Sequence, residues 1–237
     1  MPALAERLEH SRGQARFWFD HATIPEARTW LLDGLLQGQA EIKVFKTVGV
    51  QLTEDDCKQT TGFRFDEVVE YWWNRQPWEG KSKKEIHDEV IEELENFINA
   101  NAKPMEGAHE ALEFFKSRGL KLALASSSAM RLIKATVHKL KIENYFELLV
   151  SAEHDRYGKP HPAVFLRTAE TLNVHPAQCL VLEDSFFGLL AAKSAKMKCI
   201  VIPDPAHFND AHFTIADLKL KSLKNVPAAL AALNGNE

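Results

Sequence analysis

Short apolar runs alternate with amphipathic helical patterns along the second half of the chain, and this alternation constrains the fold more than any other feature. The runs are apolar throughout, which is typical of strands buried on both faces of a parallel sheet. Between them, apolar residues recur with helical spacing, as in 108–116. The pattern predicts an α/β fold, with a doubly wound parallel sheet covered by helices. The predicted strands span 120–125, 146–152, 179–182 and 199–202.

The stretch from about residue 39 to residue 102 differs from the rest because it contains helical patterns only. These patterns cover 40–48, 65–74 and 84–99, and the last has an apolar stripe with acidic residues opposite. An all-helical insert in an α/β chain predicts a small cap domain at 38–104, inserted into a core formed by 1–37 and 105–237. The alternative is a helical layer packed on the edge of the sheet.

Composition excludes several classes of protein. The chain has 237 residues, 29 Lys and Arg against 33 Asp and Glu, and a net charge of −4, which gives no electrostatic footprint for nucleic acid. No apolar run approaches the ~20 residues that cross a bilayer, and the polar start predicts a cytoplasmic protein. Its three cysteines are widely spread, which argues against a disulfide framework. We expect a monomer without a membrane or nucleic-acid partner.

Polar side chains follow three of the predicted strands, where parallel sheets bind their ligands. Ser126, Ser127 and Ser128 end the first of these strands and provide hydroxyls at a helix start, an anion site. Lys159 stands in a proline-rich loop after the next strand. Glu183 and Asp184 follow the third, and adjacent carboxylates suit Mg²⁺. Together they provide a cation site, an ammonium group and an anion pocket, which are the parts needed to handle a phosphate.

Each of these features alone has an ordinary explanation. A serine run before a helix is commonly an N-cap, a Lys-Pro pair is often a solvated turn, and a Glu-Asp pair at a strand end is commonly an exposed turn. Their joint occurrence in this order is more specific than any one of them.

The chain, from about Gln39 to the C-terminus, resembles the haloacid dehalogenase superfamily in three motifs. Within it, the similarity is to the branch of β-phosphoglucomutase and the 2-deoxyglucose-6-phosphate and other hexose-phosphate phosphatases. LALASSS resembles the second motif of the family, which implies phosphate binding by Ser126 with Ser127 beside it. GKPHPAVF resembles the third, and implies that Lys159 bridges nucleophile and phosphate. LVLEDSFFGLLAAKSAKM resembles the fourth, with Asp184 as metal ligand and Glu183 next to it.

Two further segments resemble the cap of the hexose-phosphate phosphatases. They are TGFR, which contains Arg64, and YWWNRQPW at 71–78. The resemblance implies that Arg64 contacts the phosphate or the sugar of the substrate. The alternative is an arginine on the surface of a helix. The family also implies a Rossmann-like core beneath the cap.

The first motif of the family, DxDG, is incomplete in this chain, and two half-matches compete for its place. Asp33 and Gly34 match the second half, but Leu31 stands at the nucleophile position and cannot attack phosphorus. Asp20 matches the nucleophile, but Ala22 replaces the general acid/base.

Local patterns and the resemblance favour different half-matches. Residues 15–19 are short and aromatic, which predicts a strand that ends just before Asp20. Thr23 and Glu26 have the spacing of a capping box, which would place Asp33 inside the following helix. The resemblance favours Asp33, because the family's cap begins soon after DG, and Asp33 would then also give Mg²⁺ a backbone carbonyl.

The resemblance implies a Mg²⁺-dependent phosphatase that acts on a small sugar phosphate, a hexose phosphate, through an aspartyl-phosphate. The incomplete first motif predicts activity far below that of an intact relative. The alternatives are a catalytically silent phosphosugar-binding protein and a phosphosugar mutase of the same fold. A dehalogenase would need no metal, and the Glu183-Asp184 pair argues against it.

Overall fold

The computed structural model describes residues 16–19, 34–60 and 63–234. A six-stranded sheet, with its strands in the order β3-β2-β1-β4-β5-β6, forms the centre of this part of the chain, and every neighbouring pair is parallel. This confirms the predicted α/β fold with a parallel sheet. The strands are β1 (Arg16–Phe19), β2 (Lys121–Ser126), β3 (Leu148–Ser151), β4 (Cys179–Glu183), β5 (Lys198–Val201) and β6 (Leu218–Lys219).

Helices surround the sheet, and several of them lie between β1 and β2 in the chain. They are α1 (Gly34–Lys46), α2 (Glu54–Lys58), α3 (Phe65–Arg75), α4 (Lys83–Asn101), α5 (Ala108–Lys116), α6 (Met130–Leu140), α7 (Ala163–Thr171), α8 (Phe186–Ser194) and α9 (Val226–Asn234). None of the helices in the described ranges is long and apolar enough to span a membrane.

The strands are buried on both faces, as their apolar runs predict. Along β2, Leu122 and Leu124 belong to one apolar cluster, whereas Ala123 and Ala125 belong to another. The first cluster also contains residues of α5 and α6, and the second contains residues of α7 and α8. Because side chains alternate across a strand, helices on both sides cover the sheet, which is therefore doubly wound.

The register of the central strand brings three strand ends together. Phe19, the last residue of β1, lies opposite Leu124 of β2 and Leu182 of β4. Ser126 and Glu183, which end β2 and β4, therefore lie on either side of β1 at the carboxyl edge of the sheet. The two neighbouring strands are about 10 Å apart across β1.

Residues 34–102, here called the helical segment, contain helices and no strand among their described residues. Helix α4 packs against α1 and α3 within the segment and against α6 of the sheet layer. Its buried residues Ile86, Val90 and Leu94 are those of the predicted apolar stripe. The boundaries of a core at 1–37 and 105–237 and a cap at 38–104 stay a prediction.

Local contacts fix the starts of α4 and α5. Ser82 accepts a hydrogen bond from the backbone N–H of Glu85, whose carboxylate accepts one from the N–H of Ser82, so a capping box begins α4. Gly107 has a φ of 84° and lies against the backbone of Leu223 and Lys224, where any Cβ would overlap. The chain thus enters α5 through a position that requires glycine.

Candidate active site

Residues 126–128 at the end of β2, here called the serine loop, are organised around buried hydroxyls. Ser126 is buried, and its Oγ donates to the Oγ of Ser128 (3.0 Å) and accepts from the N–H of Ser128 (3.1 Å). Ser151, at the end of β3, donates to the carbonyl of Ser128. The Oγ of Ser127 is buried and has no hydrogen-bond partner in the described part of the chain. A buried hydroxyl without a partner is costly, so this loop is suited to a ligand that accepts a hydrogen bond.

Lys159 and Glu183 form a buried ion pair. The Nζ of Lys159 lies 2.7 Å from Oε1 of Glu183, and their side chains are only 4 % and 0 % exposed. Burial lowers the pKa of Lys159 from its ordinary value, although the charges of Glu183 and Asp184 oppose this effect. The structure therefore brings Lys159 together with Glu183 and Asp184, which the sequence places after two different strands.

The Glu183 carboxylate is held tightly at the start of α8. Its second oxygen, Oε2, accepts hydrogen bonds from the Oγ of Ser185 (2.9 Å) and from the N–H groups of Asp184 and Ser185 (3.2 Å each). Gly188 leaves room for this arrangement, because a Cβ there would overlap the carboxylate. Glu183 is therefore fixed in position, and half-buried Asp184 is the more accessible of the two acids.

The pair of carboxylates fits a magnesium ion by its donor chemistry. Mg²⁺ binds through one or two carboxylates together with phosphate oxygens and water. Asp184 and Glu183 supply such oxygens beside Lys159. No group of three His, Cys, Asp or Glu side chains is placed to hold a metal within 16–19, 34–60 and 63–234. Oxygens from a phosphate or from the first motif would complete the coordination.

The side chain of Arg64 connects the helical segment to the loop after β3. It directly precedes α3, yet its Nη1 donates to the carbonyls of Ala152 (3.4 Å) and Asp155 in the loop after β3. Its Nη2 lies 2.9 Å from Oδ2 of Asp66. The side chain is only 10 % exposed, so the alternative of an arginine on a helix surface is wrong. Whether it contacts substrate stays a prediction.

A cavity of about 870 Å³ opens between the helical segment and the loops after β2 and β3. Ser127 lines it from the serine loop, and Glu153 and His154 line it from the loop after β3. Arg64 and Tyr71 line it from the helical segment. The cavity mixes aromatic, acidic and basic side chains and is large enough for a small polar metabolite.

The residues of the first motif lie outside the described ranges. This applies to both Asp20 and Asp33. The strand predicted just before Asp20 is confirmed, because β1 ends at Phe19, and α1 begins at Gly34, directly after Asp33. The choice between the two aspartates stays open.

Sequence reasoning missed several residues that organise the site. Ser185 binds Glu183, Ser151 binds the serine loop, and the backbone N–H of Met130 donates to Glu153. Arg167 of α7 donates to the carbonyl of Ser151 and to Asp155. Ser185 follows the Glu-Asp pair directly, and this position is the signal by which it could have been found. The others act through contacts between loops that no local pattern reveals.

A model of haloacid dehalogenase-like hydrolases matches residues 37–202 of this chain, which is more than half of its length. The chain belongs to this family. The match begins after both candidate aspartates of the first motif, so neither lies inside it. The predicted recognition and the predicted fold class of this haloacid dehalogenase-like hydrolase are therefore confirmed.

Two relatives of this hydrolase are named as phosphatases. Hexitol phosphatase B of Escherichia coli (strain K12) is 37% identical over 204 residues, which cover 83% of this chain and 92% of that protein. A phosphorylated carbohydrates phosphatase of Thermotoga maritima is 39% identical over 118 residues, 50% of this chain and 53% of that protein. With the family match, they confirm the prediction of a phosphoric monoester hydrolase at the level of enzyme class.

Solved structures agree with the fold. CbbY of Rhodobacter sphaeroides, solved in complex with phosphate, superimposes with a TM-score of 0.78 at 21% identity and covers 90% of this chain and 96% of its own. A putative β-phosphoglucomutase of Thermotoga maritima has a TM-score of 0.69 at 27% identity, covering 92% and 99%. The similarity to CbbY, at 21% identity, shows the fold alone.

Proposed function

We propose that this haloacid dehalogenase-like hydrolase removes phosphate from a small sugar phosphate, a hexose or hexitol phosphate, with Mg²⁺ as cofactor. The observation that carries the proposal is the buried Lys159–Glu183 pair at the carboxyl edge of the sheet, with Asp184 beside it. A buried ammonium held by a carboxylate is costly unless its charge is used, and a phosphoryl group is a suitable anion.

The charge of each site residue decides its proposed role, binding of the phosphoryl group or binding of the metal ion. Lys159 would neutralise a phosphoryl oxygen, and Ser126 and Ser127 would hold others through hydroxyl and backbone N–H donors. Asp184 and Glu183 would hold Mg²⁺. When bound, Mg²⁺ offsets negative charge on the phosphoryl oxygens and orients the group. The orphan hydroxyl of Ser127 is the donor most in need of such a ligand.

The substrate class rests on the relatives and on the cavity. Hexitol phosphatase B covers most of this chain, and a fructose-1-phosphate phosphatase of Escherichia coli is 35% identical over 79 residues. The cavity beside Ser127 offers Glu153 and His154 as hydrogen-bonding partners for hydroxyl groups, and Tyr71 as an aromatic face. Arg64, which lines the same cavity, is a candidate contact for the phosphate or the sugar.

The proposed reaction uses an aspartate as nucleophile. Its carboxylate oxygen forms a bond to phosphorus, the bond from phosphorus to the sugar oxygen breaks, and that oxygen takes a proton from the second aspartate of the motif or, where that residue is missing, from water. Water then attacks the aspartyl-phosphate, which releases phosphate and restores the aspartate. We assign the nucleophile to Asp20 or Asp33, and we expect slow turnover because each half-match lacks one of the two aspartates of DxDG.

Phosphate release from a panel of hexose and hexitol monophosphates, with and without Mg²⁺, tests the function. Asp184→Asn should abolish the stimulation by Mg²⁺, whereas the exposed-loop control Asp210→Asn should keep it. Release that ignores Mg²⁺ in the parent would contradict the cofactor. Conversion to an isomeric sugar phosphate without release of phosphate would indicate the mutase instead.

Three variants decide the first motif. If Asp20 is the nucleophile, Asp20→Asn abolishes turnover and Asp33→Asn does not. If Asp33 belongs to the motif, Leu31→Asp creates or greatly raises activity. Robust turnover that survives both Asp→Asn changes would refute both assignments.

A second candidate function is a silent phosphosugar-binding protein, which the incomplete first motif favours. Such a protein would bind sugar phosphates in calorimetry and release no phosphate. A gain of turnover in Leu31→Asp would then show a disabled enzyme with an intact pocket.

A further inference from the structure

We propose that Arg64 is a positioning residue for Lys159. It would act by holding the loop after β3 through hydrogen bonds. This loop, residues 152–158, leads directly to Lys159 and is here called the lysine loop. The inference rests on the proposed function only in taking Lys159 as the phosphate ligand. Its structural part concerns how the helical segment and the lysine loop hold one another.

The contact between Arg64 and the lysine loop consists of hydrogen bonds from a charged side chain to two backbone carbonyls. The guanidinium of Arg64 donates to the carbonyls of Ala152 and Asp155, at the beginning and in the middle of the lysine loop. Arg64 comes from the helical segment, whereas the loop joins β3 to α7. Both bonds come from Nη1, which carries two N–H groups, so a single nitrogen of the guanidinium bridges the two carbonyls.

The end of the lysine loop is shaped around this side chain. A Cβ on Gly158 would lie 2.9 Å from Cγ and 3.1 Å from Cδ of Arg64, closer than side chains ordinarily pack. Gly158 has no positive φ that would itself demand glycine. The absence of a side chain at this position therefore serves the passage of Arg64 directly before Lys159.

The burial of the charged Arg64 side chain also supports a positioning role. The side chain is nine-tenths buried, and its Nε is buried without a partner in the described part of the chain. Oδ2 of Asp155, on the same loop, is also buried without a partner within the described ranges. A charged group is removed from water here, and the two carbonyls, Asp66 and Glu67 provide its partners.

The lysine loop transmits the position of Arg64 to both halves of the phosphate site. At its start, the carboxylate of Glu153 accepts from the N–H of Met130, just after the serine loop. At its end comes Lys159, whose Nζ is locked to Glu183. Movement of the helical segment at Arg64 would therefore shift the backbone that leads to Lys159 and disturb its contact with Glu183.

The first test is hydrogen–deuterium exchange of the full chain without ligand. Arg64→Ala should raise exchange at least severalfold in peptides covering 152–159, and Arg64→Lys should restore part of the protection. The matched control is Arg118→Ala, which removes an exposed arginine after α5 whose side chain donates to the Phe114 carbonyl and stacks on the Phe114 ring. Unchanged exchange in the lysine loop of Arg64→Ala would overturn the proposal.

Gly158→Ala provides a test of the contact itself. In the parent, the new methyl group should displace Arg64 and raise loop exchange. In an Arg64→Ala background the same methyl group meets empty space, so exchange should not rise further. Equal effects in both backgrounds would show that Gly158 serves another purpose and would overturn the assigned contact.

The link to Lys159 is tested with inorganic phosphate. We expect Arg64→Ala to weaken its binding about tenfold in the parent but less than about twofold in a Lys159→Ala background. A full effect in both backgrounds would mean that Arg64 contacts the anion directly and would overturn the positioning role. If Arg64→Ala raises exchange in the lysine loop but no sugar phosphate is hydrolysed, the proposed function is wrong and the positioning role of Arg64 is kept. If sugar phosphates are hydrolysed but exchange in the lysine loop does not change in Arg64→Ala, the proposed function is kept and the positioning role is wrong.

Discussion

At the scale of single residues, the Lys159–Glu183 pair is the feature that most needs a functional reason. Two buried charges lose their hydration, and a packed apolar pair of similar volume is often at least as stable. Here Glu183 takes up further donors from Ser185 and Asp184, so the carboxylate is held in one orientation. The pair therefore holds the ammonium of Lys159 in one place for an incoming anion.

The first prediction concerns the pH dependence of this ammonium. Burial lowers the pKa of Lys159 below its ordinary value of 10.5. Above about pH 8 inorganic phosphate is already a dianion, so affinity should fall as the pH rises through the lowered pKa and Lys159 loses its proton. Calorimetry between pH 8 and pH 10.5 measures this loss. Lys159→Arg, which stays charged throughout this range, should keep its affinity to higher pH. An identical pH profile in the two proteins would contradict the prediction.

The sequence located residues whose position follows from a strand end and missed those whose position follows from a partner. Ser126 and Glu183 close apolar strands, so the rule for parallel sheets placed them correctly at one edge. Arg64 contacts a loop about 90 residues further along the chain. Its burial depends on that partner, and no local pattern around TGFR contains this information.

At the scale of elements, the turn from β4 into α8 shows how helix and site share residues. Ser185 caps α8 by accepting from the N–H of Gly188 at 3.0 Å, and its hydroxyl also donates to Glu183. The start of the helix and the fixed carboxylate thus depend on one side chain.

Gly188→Ala is the second prediction. The added methyl group would occupy the space of the Glu183 carboxylate, so either the helix or the ion pair with Lys159 must shift. We expect a loss of about 1–3 kcal/mol in the free energy of unfolding, typical of overpacking, measured by urea denaturation. Phosphate affinity should fall as well. Gly49→Ala, at a turn with open space but a positive φ, is the control that costs stability without touching phosphate binding. Normal phosphate binding in Gly188→Ala would contradict the prediction.

The sheet edge at β5 and β6 depends on one carboxylate. Asp217 accepts from Lys193 and Lys198, both at 2.7 Å, and from the N–H of Cys199 at 2.9 Å. Partial burial acts to raise the pKa of Asp217, but these hydrogen bonds outweigh it and the pKa is lowered. The carboxylate therefore stabilises the folded state when it is ionised.

The third prediction follows from that sign. Asp217→Asn should cost about 1–2 kcal/mol at pH 7, because solvent screens part of the interaction. The parent carries this stability in full above about pH 4 and loses it as the pH falls through the lowered pKa. The difference between parent and variant in urea denaturation should therefore shrink in acid. Glu106→Gln, which removes an exposed partner of Lys224, should cost little at any pH. A gap that stays constant in acid would contradict the prediction.

Element prediction succeeded where periodicity was long and failed where it was short. The buried stripe of α4 extends over many turns, and its pattern located the helix within two residues at each end. Helix α2 has five residues and β6 has two, so neither offers a period to detect. Those two elements form because tertiary contacts and the capping box of Thr53 and Asp56 support them.

At the scale of the whole molecule, the order of the strands was beyond the reach of the sequence. The runs predicted parallel strands but not that β1 would lie between β2 and β4. The cavity between the helical segment and the strand ends follows from that arrangement and from the packing of α4 on α6. Pairings between distant strands are set by global packing, which a local window does not contain.

The fourth prediction uses the three cysteines as probes of global unfolding. Cys57, Cys179 and Cys199 are all buried. Burial, with the nearby charge of Glu41, raises the pKa of Cys57 to about 12. Burial also raises the pKa of Cys199. Ellman's reagent should therefore label none of them in the native protein and all three in denaturant. Ser117→Cys, at an exposed position, should react at once. Rapid labelling of the native parent would contradict the prediction.

The central place of β1 has a consequence for how the protein is made. This strand is synthesised before both of its neighbours, because Phe19 pairs with Leu124 and with Leu182, the latter about 160 residues later. At ~5–20 residues per second, β1 waits roughly 8–30 s for its second neighbour. During that time an aromatic segment without its partners is open to aggregation or to chaperones. The strand that leads directly to Asp20 is thus made before both of its neighbours and is paired on its second side only once β4 has been synthesised.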